Sequence, residues 1–357
     1  MGSDRQHIRS LDALRGVAAF IVLGFHLEMF NRFSTILPRG YLAVDLFFIL
    51  SGFVIARSYE AKIRALGGRM RFLEIRIIRI FPMVLIGSAI GLTVWVAEHG
   101  TSGVVPLLAM NSLSLPQWWT KGELFPLNSA QWSLFFELVA NAIYAVVLVR
   151  WGWKPLAALT AAGLLALFYA GLTYGSLQVG WDQASAWGGF ARVTFSYTAG
   201  VLLYRLRASA LLPPLRVHWL AVVAAPAIGV LFLSIPQVRT IGWPAEVLTV
   251  AGLFPLIVWA AIDTKFPTCL NRTAEVLGQL SYPLYLLQAP LLVAYIMVVP
   301  TDAPLALRAT GSGAFLILFV ALSWAVTLVD EKVRSWLKAR ISARRAGSAT
   351  TSRILSG

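Results

Sequence analysis

The sequence predicts an all-α, polytopic membrane helix bundle, and three observations predict it. Apolar residues make up 58% of the 357 and charged residues 13%, where soluble domains carry roughly 45–50% and about 25%. Mean hydropathy is +0.73. The apolar residues gather into about ten stretches close to the roughly 20 residues a spanning helix needs. Together these exclude a disordered chain, a coiled coil and an ordinary soluble globule. The 13 Trp suit two lipid–water interfaces. The single cysteine, Cys269, excludes an internal disulfide and a multi-cysteine zinc site, and no metal is expected.

Taken in order, the spans are expected over 11–30, 41–57, 77–97, 132–150, 156–174, 190–206, 217–234, 245–262, 276–298 and 305–328. The first apolar run has no small-residue cleavage site before the next charges, so it reads as a retained span. The stretch 104–116 is too short to span and is bounded by Pro106 and Pro116, which suggests an interfacial or re-entrant piece. Residues 1–330 form one membrane domain. The remainder, 331–357, is basic and then rich in Ser, Thr and Gly, and is expected to be a largely disordered tail. There is no internal repeat.

With the N-terminus inside, 23 of the 30 Lys and Arg fall in inner segments and 6 in outer ones, with Arg15 inside the first span. That asymmetry predicts both termini in the cytoplasm and an even number of spans. It also accounts for the net charge of +14. No nucleic-acid-reading motif accompanies the charge, so no nucleic acid partner is expected.

Ionisable groups inside spans are costly, so each is a functional candidate. In the first span Arg15 and His26 are about three helical turns apart, on one face and about 16 Å apart along the axis. Of the four His, His7 falls in the leader, His99 in an outer loop and His218 at a boundary, which leaves His26 in the membrane. Asp45, near the outer start of the second span, looks unpaired and should lie at the depth of His26. A carboxylate beside an imidazole fixes its tautomer and raises its basicity, as a general base requires; a purely structural pair is the alternative. Arg76 and Arg79 share a face beside Pro82, and paired guanidiniums can clamp phosphate. Positive-inside topology explains such arginines equally well. Ser133, Glu137, Asn141 and Tyr144 form one polar stripe on the fourth span, with Glu137 expected near His26 and Asp45. Ser281, Tyr285 and Gln288 share a face of the ninth span, where Pro283 and Pro290 should bend the helix.

These segments, in this order, resemble the acyltransferase-3 family of integral membrane acyltransferases. The matching pieces are Leu11-Asp-Ala-Leu-Arg15 with His26, then Gly40 followed by Val44-Asp-Leu-Phe-Phe-Ile-Leu-Ser-Gly-Phe53. Arg76, Arg79 and Pro82 follow, then Trp132-Ser-Leu-Phe-Phe-Glu137, Arg192 and Gly200. The series ends with Leu277-Gly-Gln-Leu-Ser-Tyr-Pro-Leu-Tyr-Leu286 and Glu331-Lys332. The resemblance covers essentially the whole chain. It implies transfer of an acyl group, most often acetyl from acetyl-CoA, to a hydroxyl on a sugar of a surface polysaccharide, lipopolysaccharide or glycolipid, in the bacterial cytoplasmic membrane. Some relatives acylate secreted small molecules such as macrolides. It further implies that Arg15 and His26 belong to the essential site, with Asp45, Arg76, Arg79 and Glu137 as partners. Many relatives carry His where this chain has Gln288, and Gln cannot exchange a proton near neutral pH. Some also carry a C-terminal extracytoplasmic hydrolase-like domain; without that module, this chain is expected to act alone or with a separate partner.

The mechanism these residues suggest runs across the membrane. Acyl-CoA phosphates dock at Arg15, Arg76 and Arg79 on the inner side. His26, tuned by Asp45 or Glu137, takes the proton of the attacking hydroxyl. Ser133, Tyr282 or Gln288 stabilises the oxyanion, and Trp132, Ser281 and Tyr285 line the substrate path. Ser51, Ser133 and Ser281 are conceivable acyl carriers. A proton-coupled transporter would use the same residue types, but the halves carry no matching broken segments.

Overall fold

The computed structural model describes residues 8–32, 36–119 and 121–355. His7 lies outside the described residues. The order is α1 (Arg9–Asn31), α2 (Ala43–Arg64), α3 (Gly68–His99), α4 (Val104–Ser112), α5 (Gln131–Val146), α6 (Trp153–Tyr174), α7 (Ala186–Ala208), α8 (Trp219–Phe232), α9 (Pro236–Arg239), α10 (Trp243–Leu248), α11 (Phe254–Asp263), α12 (Asn271–Val298) and α13 (Leu305–Leu355). A π-helical turn, Thr249–Leu253, joins α10 to α11. No strand forms among the described residues.

Every predicted stretch is helical, and seven helical segments are long and apolar enough to cross a membrane: α1, α2, α3, α6, Trp243–Asp263, α12 and α13. The others fall short for visible reasons. α5 has 16 residues and α8 has 14, while α7 has 23 but carries Arg192, Arg205 and Arg207. The basic segment after residue 330, expected as a tail, continues the last helix, in keeping with the helix-favouring Lys, Arg and Ala it contains.

Helix directions follow from contacts at both ends of each seam. Gly278 of α12 meets Asp12 of α1, and at the other end Tyr295 Oη donates to Asn31 Oδ1 at 3.1 Å, so α1 and α12 run parallel. α2 and α7 also run parallel. A Cβ on Gly52 would overlap Tyr197 O, and one on Gly200 would overlap Ile49 O, so these glycines let the two backbones touch. α5 runs with them: Ser51 bonds Glu137, and Glu60, nine residues on, bonds Tyr144, seven residues on. The largest apolar cluster fills the space between α1, α2, α5 and α7. A second, around Leu284 and Leu287, joins α12 to α1, α3 and α13. This packing brings α1, α2, α3, α5 and α12 together around the bundle interior.

Candidate active site

These five helices line a cavity of about 90 Å³. Arg15 reaches it from α1, Ser51 from α2, Arg76 and Arg79 from α3, Ser133 and Glu137 from α5, and Ser281, Tyr282 and Tyr285 from α12. Phe47, Phe48 and Leu134 supply apolar wall.

The polar stripe of α5 organises the interior because each member engages a different neighbour. Ser133 Oγ shares a 2.7 Å hydrogen bond with Tyr285 Oη. Glu137 Oε1 accepts from Arg76 and from Ser51, both at 2.6 Å. Asn141 Oδ1 accepts from Tyr197 Oη at 3.0 Å, and Tyr144 Oη donates to Glu60 at 3.1 Å. Positions four, eight and eleven residues apart share one helix face, so one helix can address α12, α2, α3 and α7. Glu137 was expected to tune His26. It is instead bound to the arginine and the serine, an arrangement that fixes Arg76 in place.

The three arginines are not equivalent. Arg76 is buried against Glu137. Among the described residues, Arg15 and Arg79 make no hydrogen bond and no ion pair. Both line the first cavity and a second of about 250 Å³, whose wall also carries Asp12, Glu275, Asp330, Glu331 and Arg334. Tyr282 lines both as well, and its Oη donates to Ile80 O at 2.9 Å. Arg15, Arg79 and Tyr282 thus form the wall that the two cavities share.

His26 lies beyond the far end of the cavity. Its Nδ1 is 2.9 Å from Val22 O. A carbonyl only accepts, so Nδ1 carries a proton, and in the neutral ring Nε2 holds the lone pair. Gln288 of α12 lies beside the His26 ring. It is fully buried against the His26 ring. On α12, Gln288 is about one turn past Tyr285, which marks the end of the cavity.

The expectation that Asp45 faces His26 is corrected. Asp45 Oδ2 accepts from Arg192 Nε at 3.1 Å and from its Nη2 at 2.7 Å, and Asp45 Oδ1 accepts from Ser196 at 3.0 Å. Arg192 donates further to Val179 O and Tyr41 O, and Trp132 lies 5.1 Å from its guanidinium carbon, ring face to cation. The carboxylate is 0% exposed and the guanidinium 1%. With its lone pairs so occupied, Asp45 is a structural partner between α2 and α7. Trp132, expected on the substrate path, covers this ion pair and does not line the cavity. Ser281 lines the cavity, with its Oγ donating to Gly278 O at 2.7 Å within its own helix.

Sequence reasoning missed three things. Arg192 is one of the pieces that carry the resemblance but has no partner or role assigned there, and the structure places it in the core. Its signal was available: it shares α7 with Gly200, and parallel packing of α7 on α2 sets it at the depth of Asp45. Arg39, counted as an outer charge, is buried at 2.9 Å from Glu246. Ser51 was weighed as an acyl carrier, and its bond to Glu137 follows only from the placement of α2 against α5.

The geometry can be set beside known proteins. Residues 8–328 match a family model described as an acyltransferase domain, that of the acyltransferase-3 family. Over 163 residues, 40% of this chain, it is 36% identical to a Rhizobium radiobacter protein described as protein 2 in picA locus, 81% of which is covered. No solved structure matches. The chain belongs to the acyltransferase-3 family and is an integral membrane acyltransferase.

Proposed function

We propose that this enzyme transfers an acyl group, acetyl in the first instance, from acyl-CoA to a hydroxyl of a sugar in a surface polysaccharide, lipopolysaccharide or glycolipid, in the bacterial cytoplasmic membrane. The observation that carries the donor is the pair of unpartnered guanidiniums, Arg15 and Arg79, between the two cavities. Among the described residues neither guanidinium is held in a direct ion pair, although Asp12, Glu275, Asp330 and Glu331 line the second cavity beside them, so both keep donors for an anionic ligand. His26 lies about 16 Å further along α1. A donor with its charge at one end and its thioester at the far end of a slender arm fits that separation. Its phosphates rest on Arg15 and Arg79 from the second cavity, and the arm threads past Tyr282 along the first.

Arg76 holds Glu137 rather than phosphate, and the pair braces α3 against α5. His26 Nε2 accepts the proton of the acceptor hydroxyl as its oxygen attacks the thioester carbonyl. The C–S bond then breaks, and the proton passes from the imidazolium to the departing thiolate. Direct transfer is favoured over an acyl-enzyme because Ser51, Ser133 and Ser281 are bonded to Glu137, Tyr285 and Gly278, and none to an imidazole.

The test incubates purified protein in nanodiscs with radiolabelled acetyl-CoA and a lipid and glycan extract of its host. Wild type should consume thioester and label a sugar-containing product. His26→Ala should lose about 10²–10⁴-fold in transfer at an unchanged unfolding temperature. Absence of thioester turnover by wild type with acetyl-CoA and longer acyl-CoAs alike would reject this function.

A further inference from the structure

The stretch 104–116 is too short to span and has no part in the chemistry above, yet its helix, α4, lines a third cavity of about 540 Å³. That size falls within the roughly 300–1,000 Å³ of small-ligand sites. Trp95, near the end of α3, forms one wall, and α4 contributes Pro106 and Met110. The segment leading to α5 contributes Gln117, Trp119, Lys121 and Glu123.

Hydrogen bonds hold these walls in place. Gln131 Nε2, at the start of α5, donates to Asn111 O at 2.5 Å and to Ser114 Oγ at 3.1 Å. This ties α4 to the helix that carries Ser133 and Glu137. Leu124 N donates to Trp181 O at 3.0 Å and Gln183 N to Gly122 O at 2.9 Å, so the rim is pinned to the segment before α7. His99 stacks on Trp95 with ring centroids 4.1 Å apart, which fixes the plane of that indole.

The depth of the cavity follows from helix directions. Tyr282 bonds Ile80 and Leu286 lies against Gly87, so α3 runs parallel to α12 and hence to α1. Arg15 and Arg79 line the same two cavities and share a depth. Trp95 is roughly 24 Å past Arg79 along α3, and His26 roughly 16 Å past Arg15 along α1. The third cavity thus lies beyond the depth of His26, at the end of the bundle away from the arginines. The charge asymmetry assigns that end to the outside.

The lining selects the ligand. The two indoles offer flat apolar faces suited to the C–H face of a pyranose. Gln117, Lys121 and Glu123 supply donors and acceptors for hydroxyls. Among the described residues Lys121 and Glu123 are the only charged types in the lining, and they are opposite in sign, so no cluster of cations calls for a phosphate. We propose that the third cavity is an acceptor subsite that holds a neutral sugar ring of the glycan against Trp95 and Trp119, while a neighbouring unit presents its hydroxyl to His26. This rests on the acyltransferase reading above and deepens it: the acceptor is an oligosaccharide or longer chain, gripped by a unit that does not react.

The experiment varies acceptor length and the indole together. Whole protein in nanodiscs is given acetyl-CoA with p-nitrophenyl gluco-, manno- or galactopyranoside, or with the matching homodisaccharide. The host glycan extract is run alongside as reference acceptor. Wild type should prefer the best disaccharide over its monosaccharide by about 10-fold in kcat/KM, the scale of one aromatic contact, and the difference should lie in the acceptor KM. Trp119 is 69% exposed, so Trp119→Leu should keep its unfolding temperature. It should erase most of the disaccharide preference, and Trp119→Tyr should restore part of it. Trp118, exposed in the same segment but outside the cavity lining, is the control: Trp118→Leu should retain the preference. KM for acetyl-CoA should be unmoved throughout. Equal use of both acceptor lengths by wild type would overturn the subsite and leave the acyltransferase reading standing. So would an equal loss in the two Trp→Leu variants, the result for indoles that only anchor the chain among lipid headgroups. Turnover with the extract but with no pyranoside of either length would overturn it as well. Absence of thioester turnover with the extract would remove the underlying reading itself.

Discussion

Between α2 and α7 a buried carboxylate and a buried guanidinium answer each other completely, whereas between α1, α3 and α12 two guanidiniums face cavities. Asp45 and Arg192 lie in a shell of Ser196, Tyr41 O, Val179 O and Trp132. Among the described residues, Arg15 and Arg79 have no such shell and line two cavities. The same residue types therefore do different work according to whether their neighbours complete them. A matched pair offsets its own desolvation and locks two helices. Unmatched groups are tolerated only beside space that a ligand can enter.

The largest effect should come from breaking the matched seam. Arg192→Met leaves Asp45 buried and alone, and should destabilise the protein by about 3–5 kcal/mol in denaturant or thermal unfolding in detergent. Adding Asp45→Leu should recover most of it, because an apolar pair of similar volume can replace a buried ion pair. If Arg192→Met instead kept its stability and lost transfer, the seam would belong to the chemistry and the contrast would fail.

The open seam should respond through binding. Arg79→Gln should raise the apparent KM for acetyl-CoA by about 10–100-fold, the scale of a lost charge-assisted contact. Unfolding temperature should change little, because no internal partner is stranded. An unchanged donor KM would move the anion site elsewhere.

The smallest effect sharpens the comparison from outside both seams. Glu123 lies in the segment between α4 and α5, paired across a short bridge with Asp182. Burial, then the Asp182 charge, pushes its carboxyl up to about 7. The folded state therefore holds this proton more tightly than the unfolded chain does. The stabilisation is fully present below the ordinary carboxylate range and is lost as pH rises through about 7. Glu123→Gln should remove that dependence: its unfolding temperature should gain on wild type as pH is raised from about 5 to about 8. A difference that stays constant over that range would show that Glu123 titrates normally.

Much of this was legible beforehand. Apolar length placed the helices, and the stripe on α5 announced an inward face, because helical periodicity and the cost of polar groups in lipid are local properties. Arg15, Arg79, Glu137, Tyr282 and Tyr285 were all named from sequence, and all line the cavity. Pairing was the part that failed. Asp45 was matched to His26 by depth alone, yet depth says nothing about rotation around the bundle. The partner was Arg192, 147 residues away.

By itself, then, the sequence determined that the chain is a helical membrane bundle of this family and which polar residues its helices bury. Spacing and hydropathy are written along one chain and need no partner to be read. Only the tertiary structure decided which charges cancel and which remain open. That depends on the close approach of α2 to α7 at Gly52 and Gly200, and on the register of α1 against α12. Ion pairs act over a few ångströms, so a one-turn shift between α2 and α7 would separate Asp45 from Arg192.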